Sequence, residues 1–221
     1  SLALLTLAGM AEPRHACRYY EWEDLRHTGL PQGYDLVCLS TYTAQVLTAY
    51  AVARRCREQG VPAVIGGVHV SVLPEEAAAH CDAVVVGEGE SVWLRVLEDA
   101  EAGRLQPVYG DLHAGFDLRN APMPAFELLD GARYSRIPVE SSRGCPHRCE
   151  FCASSTLLSG QYKQKPAARV LAEIDRIQTL WPRPFIEFTD DNTFVNRAYW
   201  LDLFPELRKR NIRWFAEADI R

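Results

Sequence analysis

The sequence has no long basic run, no apolar stretch approaching the ~20 residues a bilayer span needs, and no charged start leading to a small-residue cleavage site. These absences argue against a nucleic-acid surface, a transmembrane helix and a secretory leader. The formal net charge of −5 over 221 residues gives nucleic acid no support either. A disulfide framework is missing too. Seven cysteines is an odd number, and three of them fall within eight residues. A secreted scaffold stapled by disulfides would carry an even, spread set, so the cysteines read as metal ligands in a reducing cytoplasm. Sequence repeats and low-complexity segments are absent. The rest is close to the soluble globular average: 48% of residues are hydrophobic, enough for a sizeable core without staples.

Two βα arrays emerge from the periodicity. In the first, 16–21 reads as a short strand and 36–40 (LVCLS) as a continuous apolar strand of the buried parallel type. A helix over 43–59 follows, then strand 62–66 (PAVIG), a short helix opened by Pro74, strand 83–86 (AVVV) and a helix over 90–102. Strand, helix, strand at this spacing predicts a parallel doubly wound sheet. Residues 111–135 lack periodicity and hold Gly115, Pro122, Pro124 and Gly131, so they read as a linker. The second array runs strand 137–142, a cysteine-rich loop, helix 167–180, strand 184–189, helix 197–210 and strand 212–217. Repeated units of this length suit a barrel or another open sheet. The expected organisation is α/β, with domains over 1–110 and 136–221 and a linker over 111–135. Both ends fall in mid-pattern, so the chain reads as a fragment.

The run Ser141-Ser142-Arg143-Gly144-Cys145-Pro146-His147-Arg148-Cys149-Glu150-Phe151-Cys152 carries the chemistry. Three thiolates spaced CxxxCxxC on one loop can converge on one inorganic centre, and soft sulfur selects zinc or iron–sulfur. Structural zinc takes four protein ligands, usually as two pairs, and no second CxxC or HxxxH occurs after residue 152. His147 could serve as a fourth ligand only by straining a tight turn. Cys145, Cys149 and Cys152 match a 4Fe–4S cluster with one iron left open better than they match zinc.

CxxxCxxC with an aromatic before the last cysteine, placed after the first strand of a βα array, resembles the radical S-adenosylmethionine superfamily. The resemblance implies that S-adenosylmethionine chelates the open iron and is split to a 5′-deoxyadenosyl radical, with Phe151 against the adenine. It also implies that the polar run ending the second strand, here Thr189-Asp190-Asp191-Asn192, meets the methionine ammonium, which needs oxygen acceptors. The plainer alternative is that Asp190 and Asp191 cap the next helix. Glu217, ending the third strand, is a further candidate for the cofactor.

Two glycine-rich strand ends mark the front array: Gly66-Gly67-Val68-His69 and Gly87-Glu88-Gly89-Glu90. Glycines at the carboxyl ends of parallel strands let a backbone approach a ligand where open α/β sheets bind theirs. Together with the cysteine loop they resemble the cobalamin-binding domain fused to one large radical S-adenosylmethionine class. That resemblance implies a Rossmann-like (flavodoxin-like) cobalamin domain followed by the first part of a partial TIM barrel, with Ser40, Thr41 and Tyr42 also lining the cobalamin. It implies a missing first strand, expected to be central in the front sheet. The D-x-H-x-x-G loop by which other cobalamin domains ligate cobalt is absent around His69, so His69 is expected to hydrogen-bond near the ligand or within the turn instead. The implied activity is methylation of an unactivated carbon or phosphorus centre through methylcobalamin and the 5′-deoxyadenosyl radical. The alternatives are a cyclase or rearrangement in which cobalamin transfers no methyl, or a cobalamin-binding sensor. Partners would be a small-molecule substrate and a flavodoxin or ferredoxin-type reductant, with no nucleic acid.

Overall fold

A computed structural model describes every residue except 12, 22, 24, 26–28, 31, 148, 153–160 and 220–221, and covers all the candidate site residues. By contact the chain divides into two units: Met10–Phe116 with Ser1 and Ala3, and Asp117–Arg221 with Leu2 and Leu4–Gly9. The opening helix α1 is Leu2–Ala11. Among the described residues no helix is long and apolar enough to cross a membrane.

The first unit is built on four strands: β1 (Val37–Ser40), β2 (Ala63–Gly66), β3 (Ala83–Val86) and β4 (Val108–Gly110). They pair in chain order, all parallel, with Val37 opposite Ala63 and Val64 opposite Ala83. All four residues of β3 are buried, as expected of a strand covered on both faces. Helix α2 (Val46–Glu58) buries Val46, Tyr50 and Ala53 into a cluster with Ile65, Val70, Val84 and Val86. Two short helices, α3 (Val68–Val72) and α4 (Pro74–Ala78), join β2 to β3, and α5 (Trp93–Glu101) joins β3 to β4.

Two expectations change. The strand proposed over 16–21 lies in no ladder, because an extended run becomes a strand only where another offers it hydrogen bonds. Nor is there a gap for a central strand between the three expected ones, since β1 pairs directly with β2 and β2 with β3. Among the described residues the sheet ends at β1 on one side and at β4 on the other.

In the second unit β5 (Ile137–Val139), β8 (Phe185–Phe188) and β9 (Arg213–Ala216) pair in that order, all parallel. Helix α6 (Ala167–Leu180) buries Val170, Ile174 and Ile177, one face at helical spacing. Helix α7 (Arg197–Lys209) buries Trp200, Leu203 and Leu207, and Trp200 meets Phe188 edge-on at 4.9 Å. Within 117–133, expected as linker, there are three single 3-10 turns, the first two of which bury Leu118 and Phe126, and Leu129 after the second is buried too. The strand expected over 137–142 ends at Val139. After it β6 (Ser142–Arg143) pairs antiparallel with β7 (Lys163–Gln164), so this two-residue ladder closes the base of the cysteine loop.

Ile65 is fully buried at the centre of the first sheet. Ile65→Ala should lower unfolding free energy by about 2–5 kcal/mol, read as a fall in the urea midpoint. A loss below about 1 kcal/mol would show that this core collapses around the gap.

Candidate functional site

The strand ends of the first unit are held together by backbone approach. Thr41, just past β1, is buried and donates its N–H to the Gly66 carbonyl at 3.1 Å. Gly67 has φ +105, and a Cβ there would lie 2.3 Å from the Thr41 carbonyl oxygen. Gly87 has φ +77, and its Cβ would meet the Asp111 carbonyl at 2.4 Å. At both positions only glycine fits, and what approaches it closely is the protein's own backbone.

A residue that sequence reasoning missed links these turns. Ser71 Oγ on α3 donates to the Gly67 carbonyl at 3.0 Å and accepts the Gly87 N–H at 2.9 Å. The GG and GEGE loops are thus joined through one buried hydroxyl. The only trace of it in the sequence is a serine four residues after a glycine, a spacing meaningful once α3 is known. Glu88 accepts the Phe116 N–H at 2.5 Å, while Tyr42 is 53% exposed.

His69 is buried on α3, with Nδ1 3.2 Å from Thr43 Oγ1 and Nε2 3.3 Å from Glu76 Oε1. The Tyr50 hydroxyl also donates to Glu76 Oε1, at 3.1 Å. Both imidazole nitrogens therefore have partners within the unit.

In the second unit the polar run after β8 faces the cysteine loop. Asp190 Oδ1 accepts the N–H groups of Ser141 at 2.7 Å and Ser142 at 2.9 Å, and its Oδ2 accepts the Ser141 hydroxyl. Asp191 Oδ2 accepts the Gly144 N–H at 2.8 Å. Asn192 Nδ2 lies 3.8 Å from Cys145 Sγ and 2.9 Å from Asp219 Oδ2. From the other side the Ser141 carbonyl accepts the Lys165 N–H and the Gln164 amide, each at 2.8 Å. Capping of α7 falls to Asn196, whose side chain accepts the Tyr199 N–H, and not to Asp190 or Asp191. Thr189 and Glu217 lie exposed at the ends of β8 and β9, where the Thr189 N–H reaches the Val139 carbonyl and the Glu217 carbonyl accepts the Thr193 N–H.

Charges are buried around this loop. Lys165 Nζ sits 2.8 Å from Glu173 Oε1, with 3% and 2% of the two side chains exposed. Burial pushes the Glu173 carboxyl up to about 7 against the pull of Lys165. Burial likewise raises Asp190 to about 6, although three donors from Ser141 and Ser142 favour its charged form.

Cys145, Cys149 and Cys152 are in no disulfide and are partly exposed, and the Cys152 N–H turns back to the Cys149 carbonyl at 3.0 Å. Phe151 between them is 92% exposed. Among the described residues no three potential ligands are already gathered at metal-binding distances. The fit to a cluster thus lies in the donor set, three reduced thiols on one closed loop with an N–H directed at one of them.

A family model described as a B12 binding domain matches residues 16–97. The bacteriochlorophyllide d C-12(1)-methyltransferase of Chlorobaculum tepidum is 31% identical over 190 residues, covering 83% of this chain and 42% of that protein. The bacteriochlorophyllide d C-8(2)-methyltransferase of the same organism is 29% identical over 227 residues, covering 93% and 49%. The chain therefore spans less than half the length of either relative. A solved structure of TsrM, a radical S-adenosylmethionine methyltransferase from Kitasatospora setae, superposes with a TM-score of 0.70 at 15% identity, over 95% of this chain and 48% of its own. That likeness establishes the fold: a Rossmann-like domain followed by the first part of a partial barrel.

The raised Asp190 carboxyl gives a pH signature. A folded pKa above the unfolded one contributes stability that is complete at low pH and lost as pH rises through the folded value. The urea midpoint of the metal-free protein should fall between the ordinary 3.8 and about 6, and Asp190→Asn should flatten that part of the profile. A midpoint that rises across this window would show that the three donors outweigh burial.

Proposed function

We propose that this chain, which belongs to the cobalamin-binding radical S-adenosylmethionine proteins, holds the cofactors of an enzyme that methylates an unactivated carbon or phosphorus centre. The observation that carries the reading is the three-thiol loop, closed at its base and set after the first strand of a parallel βα array, in a chain with a B12-binding domain. Relatives named as methyltransferases favour methyl transfer over the other outcomes of this cofactor pair. When bound, the cluster, S-adenosylmethionine and cobalamin supply one-electron chemistry and a transferable methyl group, which no side chain provides.

The chain's own residues bind and orient. Cys145, Cys149 and Cys152 hold the 4Fe–4S cluster, and three protein ligands leave one iron for S-adenosylmethionine. Phe151 supplies an exposed ring for the adenine. Thr189, Asp191 and Glu217 stand exposed at the ends of the β8 and β9 strands and offer the oxygen acceptors an ammonium needs. Ser40, Thr41, Tyr42, Gly66, Gly67, Gly87, Glu88, Gly89 and Glu90 line the cobalamin. Exposed Val68, Val72 and Leu73 beside them leave apolar surface of the kind a macrocycle covers. His69, with both nitrogens bonded within the first unit, would not be free to ligate cobalt. A flavodoxin or ferredoxin-type protein in the cytoplasm delivers electrons.

Full-length protein reconstituted anaerobically should hold about four irons and as many sulfides, and Cys149→Ala should lose them. Tight stoichiometric zinc without sulfide would sink the cluster reading. Cob(II)alamin on the same protein should show no nitrogen hyperfine splitting from a protein ligand. Splitting that disappears in His69→Ala would place that imidazole on cobalt.

A further inference from the structure

The three residues after Thr189 grip the cysteine loop in register. Asp190 takes Ser141 and Ser142, Asp191 takes Gly144, and Asn192 reaches Cys145 itself, Nδ2 to Sγ at 3.8 Å. Asn192 is 6% exposed and held from its other side. Its Nδ2 donates to Asp219 Oδ2 at 2.9 Å and its Oδ1 accepts the Asp219 N–H at 3.3 Å. Asp219 Oδ2 also lies 2.9 Å from Nε2 of His147, two residues past Cys145. Bonds on both amide atoms fix the Asn192 head group with its N–H toward sulfur.

We propose that Asn192 is a positioning residue that orients Cys145 and sets the cluster's reduction potential through an N–H···S hydrogen bond, with Asp190 and Asp191 holding the loop in register for it. A hydrogen bond to a ligating thiolate stabilises the more negative, reduced cluster and so raises its potential. Outer partners of this kind orient the ligands they touch. The inference rests on the cluster reading above and assigns Asn192 to the cluster's sulfur and not to the methionine ammonium.

The test uses full-length protein, reconstituted anaerobically, with three readings: iron and sulfide content, midpoint potential by redox titration followed by electron paramagnetic resonance, and affinity for S-adenosylmethionine. Asn192→Leu, close in shape but without the N–H, should keep wild-type iron content and shift the midpoint to more negative potential. Asn192→Gln, which retains an amide donor, should recover part of that shift. If Asn192→Leu does not load iron, Asn192→Ala reads the same shift, since it removes the donor without adding a charge. A wild-type midpoint in whichever of the two loads iron overturns the proposal. A wild-type midpoint with weakened S-adenosylmethionine binding overturns it as well, and places the amide on the cosubstrate. Wild-type protein that takes up no iron and sulfide fails the cluster reading itself, a distinguishable result.

Discussion

A carboxylate withdrawn from water is costly unless its oxygens find donors, and Asp190 is one such carboxylate. Both of its oxygens are met by Ser141 and Ser142, which lie 49 and 48 residues away in the chain. That contact fixes where the first barrel strand stops. Past Val139 the chain leaves the parallel ladder, gives its next N–H groups to Asp190, and pairs briefly with the β7 strand. The cysteine loop thus starts from a rigid point and returns to one. Asp191 and Asn192 continue the grip as far as the first thiol. Among the described residues no three potential ligands are gathered in advance.

The first unit solves a related problem with backbone in place of side chains. Four parallel strands end together, and the turns after them pass within van der Waals distance of their neighbours. Gly67 and Gly87 permit the approach, and Ser71 ties the two turns by one hydroxyl. His69, in the same short helix, spends both nitrogens on Thr43 and Glu76. The residues around the strand ends are therefore braced against each other, and Val68, Val72 and Leu73 lie exposed beside them.

Much of this was legible in the sequence, for identifiable reasons. The AVVV run gives β3 to the residue because a strand buried on both faces has no polar positions to blur its ends. Helix α6 is legible over its full length because fourteen residues carry several turns of periodicity. The cysteine spacing is local, and so was the chemistry it suggested. Less was legible where the deciding partner is remote or the element is short. Five residues of α3 and three of β4 hold too little period to see. Residues 16–21 have strand composition but no ladder to join. Asp190 and Asp191 look like helix caps or ligand acceptors, and only the fold brings Ser141 and Gly144 to them.

The central claim is that this loop holds a cluster by three cysteines and leaves one iron to a cosubstrate. Mössbauer spectra of the iron-57-loaded, full-length protein, recorded with and without S-adenosylmethionine, test it most directly. The account predicts that a single iron site changes its isomer shift on addition while the remaining sites do not. Spectra that are unchanged by S-adenosylmethionine, from a cluster already fully ligated by protein, would contradict it.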